Sequence, residues 1–338
     1  MNKKVVGAVF LIFMFVFVFI QMAEAETNGY FSFEYARNLR NSENNNDSFQ
    51  NLRLGLIFSG SLSPGIGYMA ELRLSDKKIE AEQAWIRFFS SESFRLKMGL
   101  YLVPFGKYNL NSRPHETFLV HAPLNIAHSF PSIWRDIGVL IEGRIGSMVY
   151  AVFAGNGLSE GLNLSEGQQF IDNNKNKGFG GRLSWFFSQS FEVAYSYYRG
   201  KTDLENQRKT VLKCIDMTWS TEGFKVQGEY TQGDVENPDG FTKGNTEGYF
   251  IQASLPLKKI HPVISYQKVN YSDPFHGQGF LSPNIPGTGI NLNKSRWAFG
   301  VVFVPYPNVL IKLEYDLNKD ELIDQKKSVI TLQAALSF

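Results

Sequence analysis

Apolar and polar residues alternate along most of this chain. The segment QNLRLGLIFS, which starts at position 50, places Leu52, Leu54 and Leu56 on one face and Arg53 on the other. The segment FRLKMGLY, which starts at position 94, repeats the alternation with an arginine and a lysine on its polar face. A period of two residues is that of a β-strand whose two faces meet different surroundings. Because charged side chains are costly in a dry core, we expect the polar faces to meet water.

The same period predicts sixteen strands. They lie near residues 29–37, 49–61, 65–74, 80–89, 93–102, 136–144, 148–156, 178–187, 191–200, 209–219, 223–232, 246–255, 261–269, 294–304, 309–317 and 327–338. The links between them alternate between short turns and long polar loops, and bacterial outer-membrane barrels combine this alternation with an even strand number. The sequence therefore predicts an all-β fold, a transmembrane antiparallel β-barrel of 16 strands over residues 26–338.

A soluble β-sandwich is the alternative fold, because its strands also alternate. Its buried face would be drawn from valine, isoleucine and leucine, whereas here tyrosine, phenylalanine and tryptophan recur at strand ends, as in Trp185–Phe187 and at Trp297. The last strand also ends on an aromatic residue, Phe338. Membrane barrels gather aromatic residues at both water interfaces. This placement favours the membrane barrel.

Residues 1–25 have the three parts of a secretory signal peptide. Lys3 and Lys4 precede an uncharged run over Val5–Ile20, and the segment ends in the small-residue triplet Ala23-Glu24-Ala25. An uncleaved anchor helix is the alternative, because the run is nearly long enough to span a bilayer. We expect cleavage after the triplet and export to the outer membrane of a Gram-negative bacterium.

If the apolar face meets lipid, the polar face lines a lumen that carries charges of both signs. The predicted lumen-wall residues are Arg53, Arg73, Arg87, Arg95, Lys97, Arg144, Arg182, Glu71, Glu142, Glu192 and Glu229. A sixteen-stranded barrel is wide enough for an aqueous channel unless something plugs it. The alternative role for each of these charges is a salt bridge across the wall.

One connection, at about residues 103–135, breaks the alternation of turns and loops. It is too apolar for a free extracellular loop, because residues such as Phe105, Phe130 and Trp134 need burial. We expect it to fold into the lumen and narrow the channel, with a short helix over Ser112–His121. The predicted constriction residues are Lys107, Arg113, His115, Glu116, His121, His128 and Arg135. Each of them has the alternative role of tying the loop to the wall.

The sequence resembles the phosphate-selective porin O and P family of Gram-negative outer membranes. The resemblance rests on Gly99-Leu-Tyr-Leu-Val-Pro-Phe-Gly106, Phe118–Pro123 and Trp134–Val139, with similar segments at Asp216–Trp219, Gln227–Tyr230 and Tyr249–Ala253. It implies a sixteen-stranded trimeric barrel, an inward-folded third loop and passive uptake of small solutes, including phosphate-type anions. The lumen departs from the arginine-dense pattern of that family through five glutamates, Glu71, Glu142, Glu192, Glu229 and Glu314.

Composition excludes several other classes of protein. The 34 basic and 32 acidic residues leave a net charge of +2, which argues against a nucleic-acid partner. The single cysteine, Cys214, excludes an internal disulfide and, with only five histidines, argues against a zinc cluster. The segment Asp316–Glu321 imitates the start of a calcium loop but lacks the glycine and distal glutamate of an EF-hand, so we expect a solvated loop. Neither a metal nor a cofactor is predicted.

These observations predict a non-enzymatic porin, a passive diffusion channel for small hydrophilic solutes with a weak preference for inorganic anions. Its expected partners are outer-membrane lipid, the permeating solutes and two further copies of itself in a homotrimer. A non-conducting barrel that acts as an adhesin through its loops is the main alternative. An outer-membrane hydrolase is a remote one, because the chain contains no Gly-x-Ser-x-Gly motif.

Overall fold

Sixteen antiparallel strands close into a single barrel in the computed structural model. The structure describes residues 25–40, 47–76, 78–89, 91–161, 164–273, 275–276, 293–322 and 325–338. The predicted signal peptide lies outside the described residues except for its last position, and so do most of residues 38–47 and 270–293, which join predicted strands. Within the described ranges, no helix is long and apolar enough to cross a membrane.

The strands agree with the predicted segments to within a few residues at most ends. They are β1 Glu26–Arg40, β2 Ser48–Ser63, β3 Ile66–Ser75, β4 Lys78–Phe88, β5 Arg95–Leu102, β6 Arg135–Ile145, β7 Met148–Gly155, β8 Gly178–Ser188, β9 Phe191–Lys201, β10 Lys209–Ser220, β11 Lys225–Val235, β12 Gly244–Ser254, β13 Ile260–Asp273, β14 Asn293–Tyr306, β15 Val309–Asp320 and β16 Gln325–Ser337. The predicted fold class is confirmed.

Each strand pairs with its neighbours in sequence, and β1 pairs with β16 to close the barrel. The amide of Gly29 donates to the carbonyl of Phe338 at 2.8 Å, and the amide of Phe338 donates back at 2.9 Å. A closed barrel pairs the backbone groups that an open sheet edge would expose, which is a requirement for strands surrounded by lipid.

The two faces of the sheet differ as the alternation predicted. In β12, Tyr249 and Ile251 are exposed on the outside while Phe250 and Gln252 are buried on the inside. Aromatic rings form contacts at both ends of the barrel. Trp219 and Phe224 lie 4.7 Å apart at the end that carries the short turns, called here the turn end. Tyr266 and Trp297 lie 4.8 Å apart toward the opposite end, called here the loop end.

The connection between β5 and β6 folds into the barrel and is called here the constriction loop, residues 103–134. It contains two short helices, α1 Lys107–Leu110 and α2 Leu124–Ser129. The predicted helix over Ser112–His121 was wrong, since this segment consists of turns. The physical reason is that wall side chains take the backbone groups a helix would use. Lys312 donates to the Pro114 carbonyl at 2.5 Å, and Glu314 accepts the amide of Val120.

Candidate functional site

The two ends of the constriction loop are fastened to each other by Asn109, which is fully buried. Its side-chain amide donates to the carbonyl of Val103 at 2.8 Å and to that of Trp134 at 3.0 Å. Its side-chain oxygen accepts the Trp134 amide at 2.6 Å. Of these three backbone groups, the Trp134 amide depends on Asn109 alone, whereas the two carbonyls also accept the backbone amides of Phe105 and Val103.

Aromatic packing holds the same region against the wall. The ring of Trp134, which is fully buried, lies 5.4 Å from that of Phe105 and 4.9 Å from that of Tyr198 in β9. Phe105 also meets Phe130 at 5.0 Å. These contacts confirm that the apolar residues of the loop are buried inside the barrel. Such rings bury large apolar areas, so they supply much of the energy that keeps the loop in place.

The entry to α1 requires a glycine. Gly106 has a positive φ of 67°, and a Cβ atom at this position would lie 2.5 Å from a carboxylate oxygen of Glu229. Glu229 accepts the amide of Tyr108, so the carboxylate binds the first turn of the helix. Glu229 was predicted as a lumen-wall residue, and the structure places it on the wall but buried beneath the loop.

Lys107 reaches from α1 to the carboxylate of Glu192 on β9, with which it forms an ion pair. Glu192 also lies 3.1 Å from Arg182, which in turn lies 2.5 Å from Asp216. Lys107 is therefore one of two cations that share two wall carboxylates. This cluster has no net charge when all four groups are ionised.

Arg113 forms a bidentate salt bridge with Glu71 on the barrel wall. Its Nε and Nη2 atoms donate to the two carboxylate oxygens at 3.0 Å and 2.8 Å. The remaining Nη1 donates to Glu116 at 3.2 Å. Paired guanidinium and carboxylate groups in this geometry are among the strongest charged hydrogen bonds. Two of the predicted constriction residues, Arg113 and Glu116, thus share one ion-pair network with a predicted wall residue.

His121 contacts two carboxylates of β15. Its Nδ1 lies 2.8 Å from Asp316 Oδ2 and 3.4 Å from Glu314 Oε1. Burial opposes a charge on the imidazole, but the two acidic neighbours outweigh it and raise the pKa of His121 to about 10. Asp316 belongs to the segment expected to form a solvated loop. That expectation was wrong, because Asp316–Asp320 continue β15 and the Asp316 side chain is buried.

The other two histidines of the loop have the opposite electrostatic surroundings. Burial, together with the charges of Lys294 and Arg296, lowers the pKa of His128 to about 4. Burial also lowers the pKa of His115, whose ring lies 5.5 Å from that of Tyr30. Both imidazoles are therefore neutral at pH 7.

Arg135 lies at the start of β6 and is only 5% exposed. It donates to the Ala81 carbonyl at 2.8 Å and lies 3.4 Å from Glu82. Glu82 also forms an ion pair with Arg73 at 2.7 Å. The sequence did not predict Glu82 as a lumen-wall residue, because β4 carries a bulge at this position. The strand alternation assigns Gln83 to the inside, and the bulge turns both residues inward. No local sequence signal marks a bulge of this kind.

The other predicted wall charges divide into two groups. In the first group, each cation has a carboxylate partner: Lys97 lies 2.9 Å and Arg95 3.9 Å from Glu142. This group also contains Arg182, whose partners are given above. Arg73 belongs to it as well, because it lies 2.6 Å from Glu80. Two cations share Glu142, so this side of the lumen keeps a positive excess.

The second group comprises wall cations that have no carboxylate within 4.0 Å in the part of the chain that the structure describes. They include Arg53, Arg87, Arg144 and Lys225. Arg144 donates to the Gly146 carbonyl at 3.1 Å, and the ammonium of Lys225 lies 5.1 Å from the ring centre of Phe118. No carboxylate therefore neutralises these four side chains at this distance.

These cations adjoin the concave spaces left between the loop and the wall. A cavity of about 490 Å³ toward the turn end is lined by Arg95, Lys97, Arg144 and Arg182, with Glu142 as its carboxylate. Arg87 lies directly opposite Lys97 across the β4–β5 pair and so shares its face. This space has more positive than negative side chains.

Two smaller spaces also have cations in their lining. One of about 190 Å³ is lined by Lys107, Lys225 and Thr117 beside Glu116 and Glu229. The other, also about 190 Å³, lies at the loop end. Its charged and titratable lining residues are His128, Lys294, Arg296, Lys319, Asp320 and Lys327. Cations therefore line concave spaces toward both ends of the constriction loop.

Family comparison identifies the barrel. The model of the Gram-negative porin family matches residues 16–321, which is most of the chain. The chain belongs to the Gram-negative porin family. Its function is that of an outer-membrane porin channel, and the prediction of a non-enzymatic protein is confirmed. The match supports the porin part of the resemblance noted in the sequence. No curated protein matches the sequence.

Solved outer-membrane proteins share the fold of this porin at low sequence identity. An anion-selective porin from Comamonas acidovorans has a TM-score of 0.67 at 12% identity, over 93% of this chain and 99% of that one. Salmonella typhi OmpF in complex with daunomycin has a TM-score of 0.65 at 12% identity, over 93% and 97%. The trimer form of Vibrio cholerae OmpT has a TM-score of 0.64 at 8% identity, over 93% and 99%.

Proposed function

We propose that this porin is a diffusion channel with a weak preference for small inorganic anions, phosphate-type anions among them. The observation that carries the proposal is the set of wall cations without a carboxylate partner, Arg53, Arg87, Arg144 and Lys225. Fixed charges that line a narrow aqueous path raise the local concentration of ions of opposite sign. The anion-selective porin from Comamonas acidovorans shares this fold, which agrees with the proposal.

The constriction loop sets the width of the channel in this proposal. Lys107 and Arg113 lie on the loop, but each is neutralised by a wall carboxylate, Glu192 or Glu71. The loop therefore acts mainly through its size and position, and the wall supplies the electrostatic preference. The remaining predicted constriction residues take the same supporting part, with His128 beside the cationic space at the loop end.

The magnitude of the preference follows from simple electrostatics. A unit charge about 6 Å from a passing ion contributes about 0.7 kcal/mol in a water-filled channel, or about threefold in relative ion concentration. Salt screening reduces this figure, with a Debye length of about 10 Å at 0.1 M. A few uncompensated cations therefore produce a modest selectivity and no tight binding.

The test is the reversal potential of the refolded mature porin in a planar bilayer under a KCl gradient. We expect a potential of the sign that marks chloride as the more permeant ion, with the preference falling as salt rises. Replacing chloride by phosphate should keep the anion preference with a smaller current. A cation-selective channel, or a barrel that conducts no ions, would overturn the proposal.

We further propose that three copies of this porin assemble into a homotrimer in outer-membrane lipid. One of the structural relatives is a trimer form, Vibrio cholerae OmpT. The exterior of the barrel is apolar. An apolar face of one barrel can contact either lipid or the apolar face of another barrel, so the exterior is compatible with a trimer. Mass measurement of the protein in detergent should give three chains per particle, and a particle of one chain at all concentrations would contradict this assembly.

A further inference from the structure

Three side chains with metal-binding chemistry meet where the constriction loop crosses β15. They are His121 from the loop and Glu314 and Asp316 from the strand. One candidate ligand atom from each side chain lies within 4.8 Å of the other two. Glu314 and Asp316 are two positions apart on one strand, so both point into the lumen and can face the same point.

The hydrogen bonds of the cluster leave the inner atoms unused. Glu314 Oε2 accepts the amides of Val120 and His121, which fixes the orientation of the carboxylate. Its other oxygen, Oε1, is buried without a hydrogen bond, and so are Asp316 Oδ1 and His121 Nδ1. Nδ1 lies close to both carboxylates but is not aligned for a hydrogen bond with either.

Burial makes these unused atoms significant. The side chains of Glu314 and Asp316 are only 1% and 2% exposed. Two adjacent carboxylates in such a place repel each other, and buried polar atoms without partners are costly. A metal ion that displaces the imidazole proton and lies between the carboxylates and the ring would satisfy all three side chains.

We propose that His121, Glu314 and Asp316 form a binding site for a divalent transition-metal ion such as Zn²⁺. One imidazole nitrogen and two carboxylate oxygens are a ligand set that Zn²⁺ and Co²⁺ accept, with water in the remaining position. Ligand distances of about 2.0–2.2 Å place donor atoms about 3–3.5 Å apart, so small side-chain rotations bring the three atoms into range.

The surroundings limit the affinity of this site. Arg296 lies 3.7 Å from Asp316 Oδ2, and Lys312 precedes Glu314 by two positions on the same face. Both cations compete with a metal for the carboxylates. A bound ion would cross-link the loop to β15 and hold the segment before α2 against the wall. The site therefore regulates how firmly the loop is held, and it does not depend on which ions the channel prefers.

The test uses refolded mature protein without a polyhistidine tag, stripped of metal by a chelator. Co²⁺ is titrated and followed by its visible absorption, and Zn²⁺ binding is measured by calorimetry. We expect one Co²⁺ per chain. The variants His121→Gln and Asp316→Asn should each weaken binding at least tenfold, as is typical for the loss of a metal ligand or its support. The matched control is His128→Gln, which changes another histidine of the same loop and should bind as the unmodified protein does.

A second measurement covers variants that fail to refold. Diethyl pyrocarbonate modifies free imidazole nitrogens, and mass mapping of the unmodified chain reports each histidine separately. Zn²⁺ should protect His121 and leave His115 and His128 unchanged. Absence of Co²⁺ binding at millimolar concentration, binding that His121→Gln leaves intact, or equal modification of His121 with and without Zn²⁺ would each overturn the site. In that case the cluster is an ion pair only.

Discussion

Cations of two kinds line the inside of this porin, and they differ in their neighbours. Lys107 and Arg113 of the constriction loop reach buried carboxylates on the wall, whereas Arg87 and Arg144 of the wall itself have no carboxylate within 4.0 Å in the described chain. A paired cation contributes little to the field that a passing ion meets, because its partner cancels it. The difference indicates that the charges of the loop fix the loop to the wall, and that the unpaired charges of the wall select ions.

The largest effect is expected from breaking a loop anchor. Glu71→Gln removes the main partner of Arg113, and Arg113 keeps only Glu116. Because Glu71 is buried, we expect the free energy of unfolding to fall by about 3 kcal/mol, the lower end of the range for breaking a buried pair. Reversible urea unfolding in lipid vesicles, followed by tryptophan fluorescence, measures it. Arg87→Gln is the matched control and should change stability less, because Arg87 has no carboxylate within 4.0 Å in the described chain.

A second anchor tests whether the loop is held at its ends. Asn109→Ala leaves the Trp134 amide without a partner inside the barrel and removes one of the two donors to each of the carbonyls of Val103 and Trp134. We expect a loss of about 2 kcal/mol, since each buried unpaired group costs about 1–3 kcal/mol and water offsets part of it. Single-channel recordings should show greater current noise from a looser loop.

The neighbouring asparagine provides the control for that experiment. Asn111 is exposed and donates only to the Lys107 carbonyl within α1. Asn111→Ala should leave both stability and current noise unchanged. Equal noise in the two variants would show that Asn109 does not fasten the loop.

The smallest effect concerns acid sensitivity at His128. Its pKa in the folded protein lies near 4, below the ordinary value of about 6.5, so the folded state disfavours protonation. The neutral ring therefore contributes stability that is complete above pH 6.5 and is lost as the pH falls from there toward 4. Histidine NMR should give a titration midpoint near 4 for His128. A midpoint near 6.5 would mean that the ring is solvated and that α2 does not pack as described.

The barrel could be predicted from the sequence because each strand alternates apolar and polar residues, one set for each of its two surroundings. The alternation in β2 and β5 follows from lipid on one side and water on the other, and no distant contact is needed to see it. The apolar residues Phe105 and Trp134 likewise predicted a buried loop. The residues Lys107, Arg113 and His121 were found as charged positions in that loop.

The partners of those charges could not be predicted, because they depend on contacts between distant strands. Arg113 meets Glu71 across 42 positions of sequence, and Glu314 binds Val120 across 194. Wall groups took the backbone of the segment expected to be helical, and a bulge turned Glu82 inward. Local patterns thus predicted the elements, and long-range pairing decided which charges remain free.

The most direct test of the division between paired and unpaired cations compares two double variants. Lys107→Gln with Glu192→Gln removes one ion pair and leaves the net charge unchanged, while Arg182 keeps Asp216. Arg87→Gln with Arg144→Gln removes two cations that have no carboxylate partner. Both change two charged side chains to similar neutral ones in the lumen.

The measurement is the reversal potential of each double variant in a planar bilayer under one KCl gradient at low ionic strength. We predict that the pair deletion keeps the anion preference of the unmodified porin and that the wall variant loses it, with a shift of up to about threefold in permeability ratio for each cation removed. An unchanged potential in the wall variant, or an equal shift in both, would contradict the assignment of selectivity to the unpaired wall cations.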